Sequence, residues 1–306
     1  MLEQDPIVKR LTAWAAARPD VRAVWLTSTR ARPGAVVDDL SDYDVVLTVD
    51  DVAAYLNARS WLADFGEVLA VYQDPVHDAH GWGFAQFGVV TQYADGLHLD
   101  FTLWPAAQLA HAVAHKVLPG DMDDGYRVLF DPQGLTSGLP APTYTVFVPS
   151  PPTAAEFART VEDFFSDVPY VVKQLWRDEL LPARYCLDCD MKQVFLRRML
   201  EWHAAGETGW AHPSGALGRG LKRRLRPDLW RALELTFVDA RLDANWEALF
   251  ATLGLFRQAG QEVAARLGFS YPLAMDERLV TYARDLHERR RPAATVDSLG
   301  RSSGAL

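Results

Sequence analysis

The chain has 306 residues, 49% hydrophobic and 23% charged, with a net charge of −9. This composition describes a globular protein with room for two domains and a sizeable core, and it excludes a disordered or collagen-like chain. The charge is uneven: residues 1–150 hold 19 acidic and 9 basic side chains, so a duplex nucleic-acid partner is not expected and a cationic one is.

In chain order, residues 4–17 have helical spacing, with Asp5 and Pro6 as cap and first-turn residues. Strands are predicted over 21–27 and 43–49, then a helix over 52–66 that stops at Gly66. Further strands fall at 67–73, 83–93 and 97–104, the last two joined by an Ala-Asp-Gly hairpin turn at 94–96. A helix over 105–118 and a short strand at 127–131 complete the first part. The segment 142–153, PTYTVFVPSPPT, is proline-rich and reads as a connection. Helical patterns follow over 154–181, 183–205, 227–237, 243–268 and 276–290.

The expected fold is therefore α+β. A mixed sheet with helices occupies 1–150, a helical bundle 151–291, and a disordered tail 292–306. No apolar run reaches the ~20 residues that cross a bilayer, and the polar start MLEQDPIVKR is unlike a signal peptide. With Cys186 and Cys189 its only cysteines, the chain is expected to be cytoplasmic and free of disulfides.

The stretch DDLSDYDVVLTVDD places Asp42 and Asp44 two residues apart where a strand begins. Alternate strand residues share a face, so the two carboxylates should converge. Two such acids are tolerated when solvated or when a cation lies between them. In LHLDFTLW, His98, Asp100 and Thr102 share one face, while Leu99, Phe101 and Leu103 form the apolar one. Asp100 thus sits in mid-strand, where an unpaired charge is costly. If the two strands are neighbours, Asp42, Asp44 and Asp100 make a hard-oxygen site suited to Mg²⁺, of the kind that serves phosphoryl or nucleotidyl transfer.

The run STRAR…DDLSDYDV resembles the signature of the polymerase-β-like nucleotidyltransferase superfamily, and most closely that of the aminoglycoside 6-adenylyltransferases. LHLDFTLWP, VPYVVKQLWRDELLPARYCLD, MLEWH and FRQAGQEVAARLGFSYP extend the likeness along nearly the whole chain. The resemblance implies transfer of AMP from ATP to a hydroxyl of an aminoglycoside such as streptomycin. By it, Asp42 and Asp44 hold Mg²⁺, Asp100 serves as metal ligand or general base, and Ser28, Thr29 and Arg30 cradle the triphosphate. The alternatives are another small-molecule or protein acceptor, or a non-catalytic nucleotide-binding protein.

One departure stands out: Ser28 occupies the position of a family glycine. On sequence grounds Ser28→Gly should open the turn to ATP but cost roughly 0.5–1 kcal/mol of stability.

An acidic first half needs basic side chains from elsewhere to meet a triphosphate, and Lys173, Lys192 and Arg197 are the candidates, though all could be solvated helix bases. Trp176, Asp178 and Glu179 offer an aromatic wall and carboxylates to a guanidinium-bearing acceptor. Cys186 and Cys189 have no further cysteine to complete a zinc site. His77, His80, His111 and His115 read as loop or surface histidines. The chain is expected to act as a monomer or homodimer, with no membrane partner.

Overall fold

The computed structural model describes residues 5–212 and 215–290. The tail expected at 292–306 lies outside the described residues. The chain forms two compact units that divide between Phe147 and Val148.

The first unit is built on one six-stranded mixed sheet. Its strands are β1 (Val21–Thr27), β2 (Tyr43–Val49), β3 (Val68–Gln73), β4 (Phe87–Tyr93), β5 (His98–Pro105) and β6 (Tyr126–Phe130), in the spatial order β3-β4-β5-β2-β1-β6. Only the central pair β2–β5 is parallel; the other pairs are antiparallel. Helices α1 (Pro6–Ala16), α2 (Ser28–Ala31), α3 (Val52–Asn57), α4 (Ala106–His115) and α5 (Gly120–Asp123) join them. Asp5 caps α1, accepting from the amides of Ile7 and Val8.

The strand alternation is as the sequence predicts. Val45, Leu47, Leu99, Phe101 and Leu103 pack beneath the sheet with α1 and the 52–65 segment. Val46, Trp25 and Trp104 face the other way, against Leu109 and Ala112 of α4. This second core is small, and it leaves the beginnings of β2 and β5 open on that face.

Two elements differ from expectation. The helix predicted over 52–66 is interrupted at Ala58, whose extended backbone (φ −122°, ψ 97°) starts a 3₁₀ segment, Arg59–Phe65. That break lets Trp61, Leu62 and Phe65 all turn into the core. The strand predicted from 83 begins only at Phe87. Asp78 Oδ2 accepts from the Gly83 amide at 2.7 Å and Oδ1 from that of Trp82 at 3.1 Å, which holds this stretch as a loop.

The second unit is helical: α6 (Ala154–Ser166), α7 (Val168–Trp176), α8 (Leu180–Arg184), α9 (Arg197–Glu207), α10 (Leu221–Arg224), α11 (Pro227–Glu234), α12 (Leu242–Leu267) and α13 (Leu273–Arg290). A capping box at Thr153 and Glu156 starts α6. Phe164 and Phe256 stack at its centre, 3.6 Å between ring centroids. Between α8 and α9 the residues Tyr185–Leu196 form a π-helix. Its buried apolar positions Leu187, Met191 and Leu196 step by four and then five residues, consistent with the wider turn. No helix among the described residues is long and apolar enough to cross a membrane.

Candidate active site

Asp44 and Asp100 are register partners on the parallel pair β2–β5. Parallel strands lie about 4.8 Å apart and paired residues share a face, so the two side chains stand together on the open end of the sheet. Both are half-buried. With Thr27, Ser28, Thr102 and Asp124 they line a cavity of about 250 Å³.

Burial holds the Asp100 carboxyl above its ordinary value. His98 opposes this, while the charges of Asp42 and Asp74 push further in the same direction. Asp100 is thus the cavity carboxylate on which burial and neighbouring negative charge act together.

Asp42 behaves differently from its sequence pattern. It is exposed, does not line the cavity, and precedes the first residue of β2. The rule that residues two apart share a face fails across a strand boundary. The carboxylates of Asp42, Asp44 and Asp100 accordingly do not gather with all ligand atoms within 4.8 Å of one another, although Asp42 is near enough to act on Asp100 by its charge.

Arg30 explains how the chain turns there. Its Nε donates to the Asp42 carbonyl at 2.9 Å and Nη2 to the Ser41 carbonyl at 2.7 Å. The guanidinium lies 3.7 Å over the Tyr43 ring and 3.7 Å from Asp5. Tyr43 in turn donates to Asp5 at 2.9 Å, and burial together with that bond pushes its hydroxyl up to about 12. Nε and Nη2 of Arg30, expected to cradle phosphate, are thus engaged at the entry of β2, with Nη1 beside Asp5.

Ser28 opens α2 with φ +60°, a left-handed conformation that favours glycine. Its neighbour Thr29 is half-buried and does not line the cavity.

A model of the family described as streptomycin adenylyltransferase matches residues 1–286. The chain belongs to that family. It is an enzyme of the adenylyltransferase kind, and the resemblance carried by STRAR…SDYDV and LHLDFTLWP is borne out. Among similar proteins, an aminoglycoside 6-adenylyltransferase of Bacillus subtilis (strain 168) is 28% identical over 273 residues, covering 87% of this chain and 92% of that one. One from Campylobacter jejuni is 26% identical over 262 residues, covering 86% and 88%. A crystal structure of an aminoglycoside 6-adenyltransferase from Bacillus subtilis aligns with a TM-score of 0.45 at 26% identity, covering 93% of this chain and 98% of that one.

In this adenylyltransferase the remaining expected residues belong to the second unit. Lys173 is exposed, its ammonium 4.8 Å from the centre of the Tyr170 ring. Trp176 ends α7, and Asp178 and Glu179 lie in the turn that follows; all three are exposed, with Asp178 at φ +62°. Arg197 pairs with Glu201 at 2.8 Å.

Lys192 is a correction. Expected to meet phosphate, it is buried, bonds Asp188 and the Thr236 carbonyl at 2.6 Å each, and lies against the Phe237 ring. Burial lowers its proton affinity while Asp188 sustains it. Its charge is used inside the bundle.

Three features escaped the sequence reading. Asp124 lies far from the aspartate motifs and lines the same cavity. Asp74 follows β3, and its carboxylate rests over Gly88, where a Cβ would come within 2.6 Å of Oδ2. Gly88 pairs with Thr102, two residues along β5 from Asp100 and so on the same face, and Asp74 thereby reaches the Asp100 face. A glycine inside an otherwise β-branched strand was the available signal. Finally, Cys186 finds partners other than cysteine: its ligand atom and those of Asp167 and Asp190 lie within 4.8 Å of one another. Burial first, then the charges of Asp167 and Asp190, push this thiol up to about 12, so it stays protonated at neutral pH.

Proposed function

We propose that the enzyme transfers AMP from ATP to a hydroxyl of an aminoglycoside such as streptomycin, with Mg²⁺, in the cytoplasm. The observation that carries this reading is the in-register pair Asp44–Asp100 in the cavity that Ser28 also lines. Family membership narrows the chemistry to adenylyl transfer. The named relatives supply the acceptor class.

The donors fit a hard divalent cation. Asp44 and Asp100 are half-buried carboxylates side by side, and Thr27 and Ser28 add hydroxyl oxygens to the same cavity. Asp44 and Asp100 would hold the ion, with Asp42 joining from the rim. When bound, Mg²⁺ neutralises phosphate charge and makes the α-phosphorus more open to attack. In the reaction, the acceptor oxygen bonds to the α-phosphorus, the bond to the bridging oxygen breaks, and pyrophosphate leaves.

The protein's own groups do the rest. The backbone around Ser28 and Thr29 receives the triphosphate. Asp100, whose proton affinity is raised, takes the proton of the attacking hydroxyl on a carboxylate oxygen. Lys173 is an exposed cation beside the Tyr170 ring, a kind of group that suits phosphate. Trp176, Asp178 and Glu179 offer a ring face and two carboxylates to a guanidinium or ammonium group.

The non-catalytic alternative rested on Ser28 replacing glycine. Ser28 adopts the glycine-like backbone, so that argument loses its force. The test is pyrophosphate release from ATP and Mg²⁺ with and without streptomycin. Release only with the aminoglycoside is expected. ATP binding without aminoglycoside-dependent release overturns the reading.

A further inference from the structure

Arg32 and Asp124 are 92 residues apart in sequence, yet Arg32 Nη1 donates to both carboxylate oxygens of Asp124, at 2.9 and 3.0 Å. The Asp124 side chain is 7% exposed and that of Arg32 33%. Asp124 lines the cavity beside Asp44 and Asp100. A buried carboxylate next to two others is costly without a cation, and Arg32 supplies it. Asp124 is thereby committed to Arg32 and is not a further metal ligand.

The backbone repeats the attachment. Gly125 has φ +127°, and a Cβ there would lie 3.2 Å from the Arg32 Cα and 3.3 Å from its nitrogen. Residues 124–125 therefore press directly on the end of the turn that begins at Ser28. That turn is closed by the Arg32 amide, which donates to the Ser28 carbonyl at 3.0 Å. In the sheet, Tyr126 is the register partner of Thr27, so the Asp124–Gly125 approach to β6 runs alongside the exit from β1.

Ser28 holds its left-handed backbone inside this arrangement. Such a conformation in a non-glycine residue persists only where its surroundings over-determine it. Arg32 is the shared member: its amide closes the turn, and its guanidinium and backbone are gripped by Asp124 and Gly125.

We propose that Asp124 is a positioning residue for the nucleotide. Acting through Arg32, it fixes the Ser28–Arg32 turn in the shape that receives the triphosphate. This rests on the reading above that the turn binds the phosphates of ATP.

The test is calorimetric binding of ATP with Mg²⁺ to the wild type, Asp124→Asn, Arg32→Gln and the double variant, with melting temperatures and streptomycin binding alongside. Each single variant should weaken ATP binding roughly tenfold or more, the scale of a lost charge-assisted bond. The double variant should be no weaker than the worse single, because the two residues act as one unit. Streptomycin binding should be unchanged. The charge-exchanged variant Arg32→Asp/Asp124→Arg should recover part of the ATP affinity. If Asp124→Asn fails to fold, Arg32→Lys keeps the charge opposite Asp124 and loosens only the two-pronged bond, and it should show the same selective loss. ATP affinity within about twofold of wild type, with only a lower melting temperature, overturns the proposal. So do additive losses, which would make Arg32 a separate phosphate ligand. A wild type that binds no ATP at all overturns the nucleotide reading itself.

Discussion

Asp44 on β2 and Asp100 on β5 face each other in register across the only parallel strand pair of the sheet. Two like charges are brought side by side where burial already disfavours ionisation of Asp100. That costs stability in the metal-free protein, a cost that the cation of the proposed function would offset.

The first prediction follows from that cost. Asp44→Asn and Asp100→Asn should each lower AMP transfer by at least about a hundredfold, the top of the range for losing even an outer partner of a metal ligand, and Asp42→Asn, at the rim, by less. Asp100→Asn should also stabilise the metal-free protein at neutral pH. Near-wild-type turnover in any of the three would remove that residue from the site.

The pH dependence has a definite sign. Because the folded Asp100 binds its proton more tightly than the unfolded chain does, its effect favours folding at low pH. That contribution is lost as pH rises from the ordinary 3.8 through the raised folded value. The advantage of Asp100→Asn in urea midpoints with EDTA should therefore be small near about pH 4 and grow towards about pH 7. An advantage independent of pH would mean that burial and charge do not act on this carboxyl.

Asp74 and Gly88 refine the same point. Removing the Asp74 charge with Asp74→Asn, or displacing its carboxylate with Gly88→Ala, should lower the proton affinity of Asp100, since Asp74 raises it. Carboxyl carbon NMR of the metal-free protein reads this directly. An unmoved Asp100 titration in both variants would separate Asp74 from the site.

For Ser28→Gly the structure reverses part of the sequence-based expectation. At φ +60° a non-glycine residue carries roughly 1–2 kcal/mol of strain, more than the entropy that glycine costs. The variant should therefore melt higher, not lower, while binding ATP more tightly. A lower melting temperature would show that the serine side chain itself holds the turn.

The two lysines should separate. Lys192→Met removes one of two cations from Asp188, which keeps Arg184 at 2.8 Å, and strands the buried Thr236 carbonyl, so it should destabilise by about 1–3 kcal/mol with ATP affinity unchanged. Lys173→Ala, on an exposed face, should stay within about 0.5 kcal/mol in stability and weaken ATP binding. Denaturant titration beside ATP calorimetry reads both. The opposite pattern would return the phosphate role to Lys192.

Much of this was legible in the chain. Period-two alternation in LHLDFTLW put Asp100 on the open face with His98 and Thr102, because burial on one side of a strand leaves a strong pattern. Asp42 lies at the rim and not in the cavity because the pattern does not extend beyond the strand. Of the two partners of Lys192, Asp188 lies at i−4 and was open to helical spacing, while Thr236 is 44 residues away, where periodicity says nothing. Asp124 was invisible because it reaches the site through a fold contact opposite Arg32, and Asp74 left only the indirect signal of Gly88.

The central claim is that the Asp44–Asp100 pair supports metal-dependent adenylyl transfer to an aminoglycoside. The direct measurement is mass spectrometry of an aminoglycoside panel after incubation with enzyme, ATP and Mg²⁺, beside Asp44→Asn and an EDTA control. The account predicts one added AMP on streptomycin or a close relative, absent with the variant and with EDTA. An AMP adduct that persists in Asp44→Asn, or no adduct on any aminoglycoside from an enzyme that binds ATP, would contradict it.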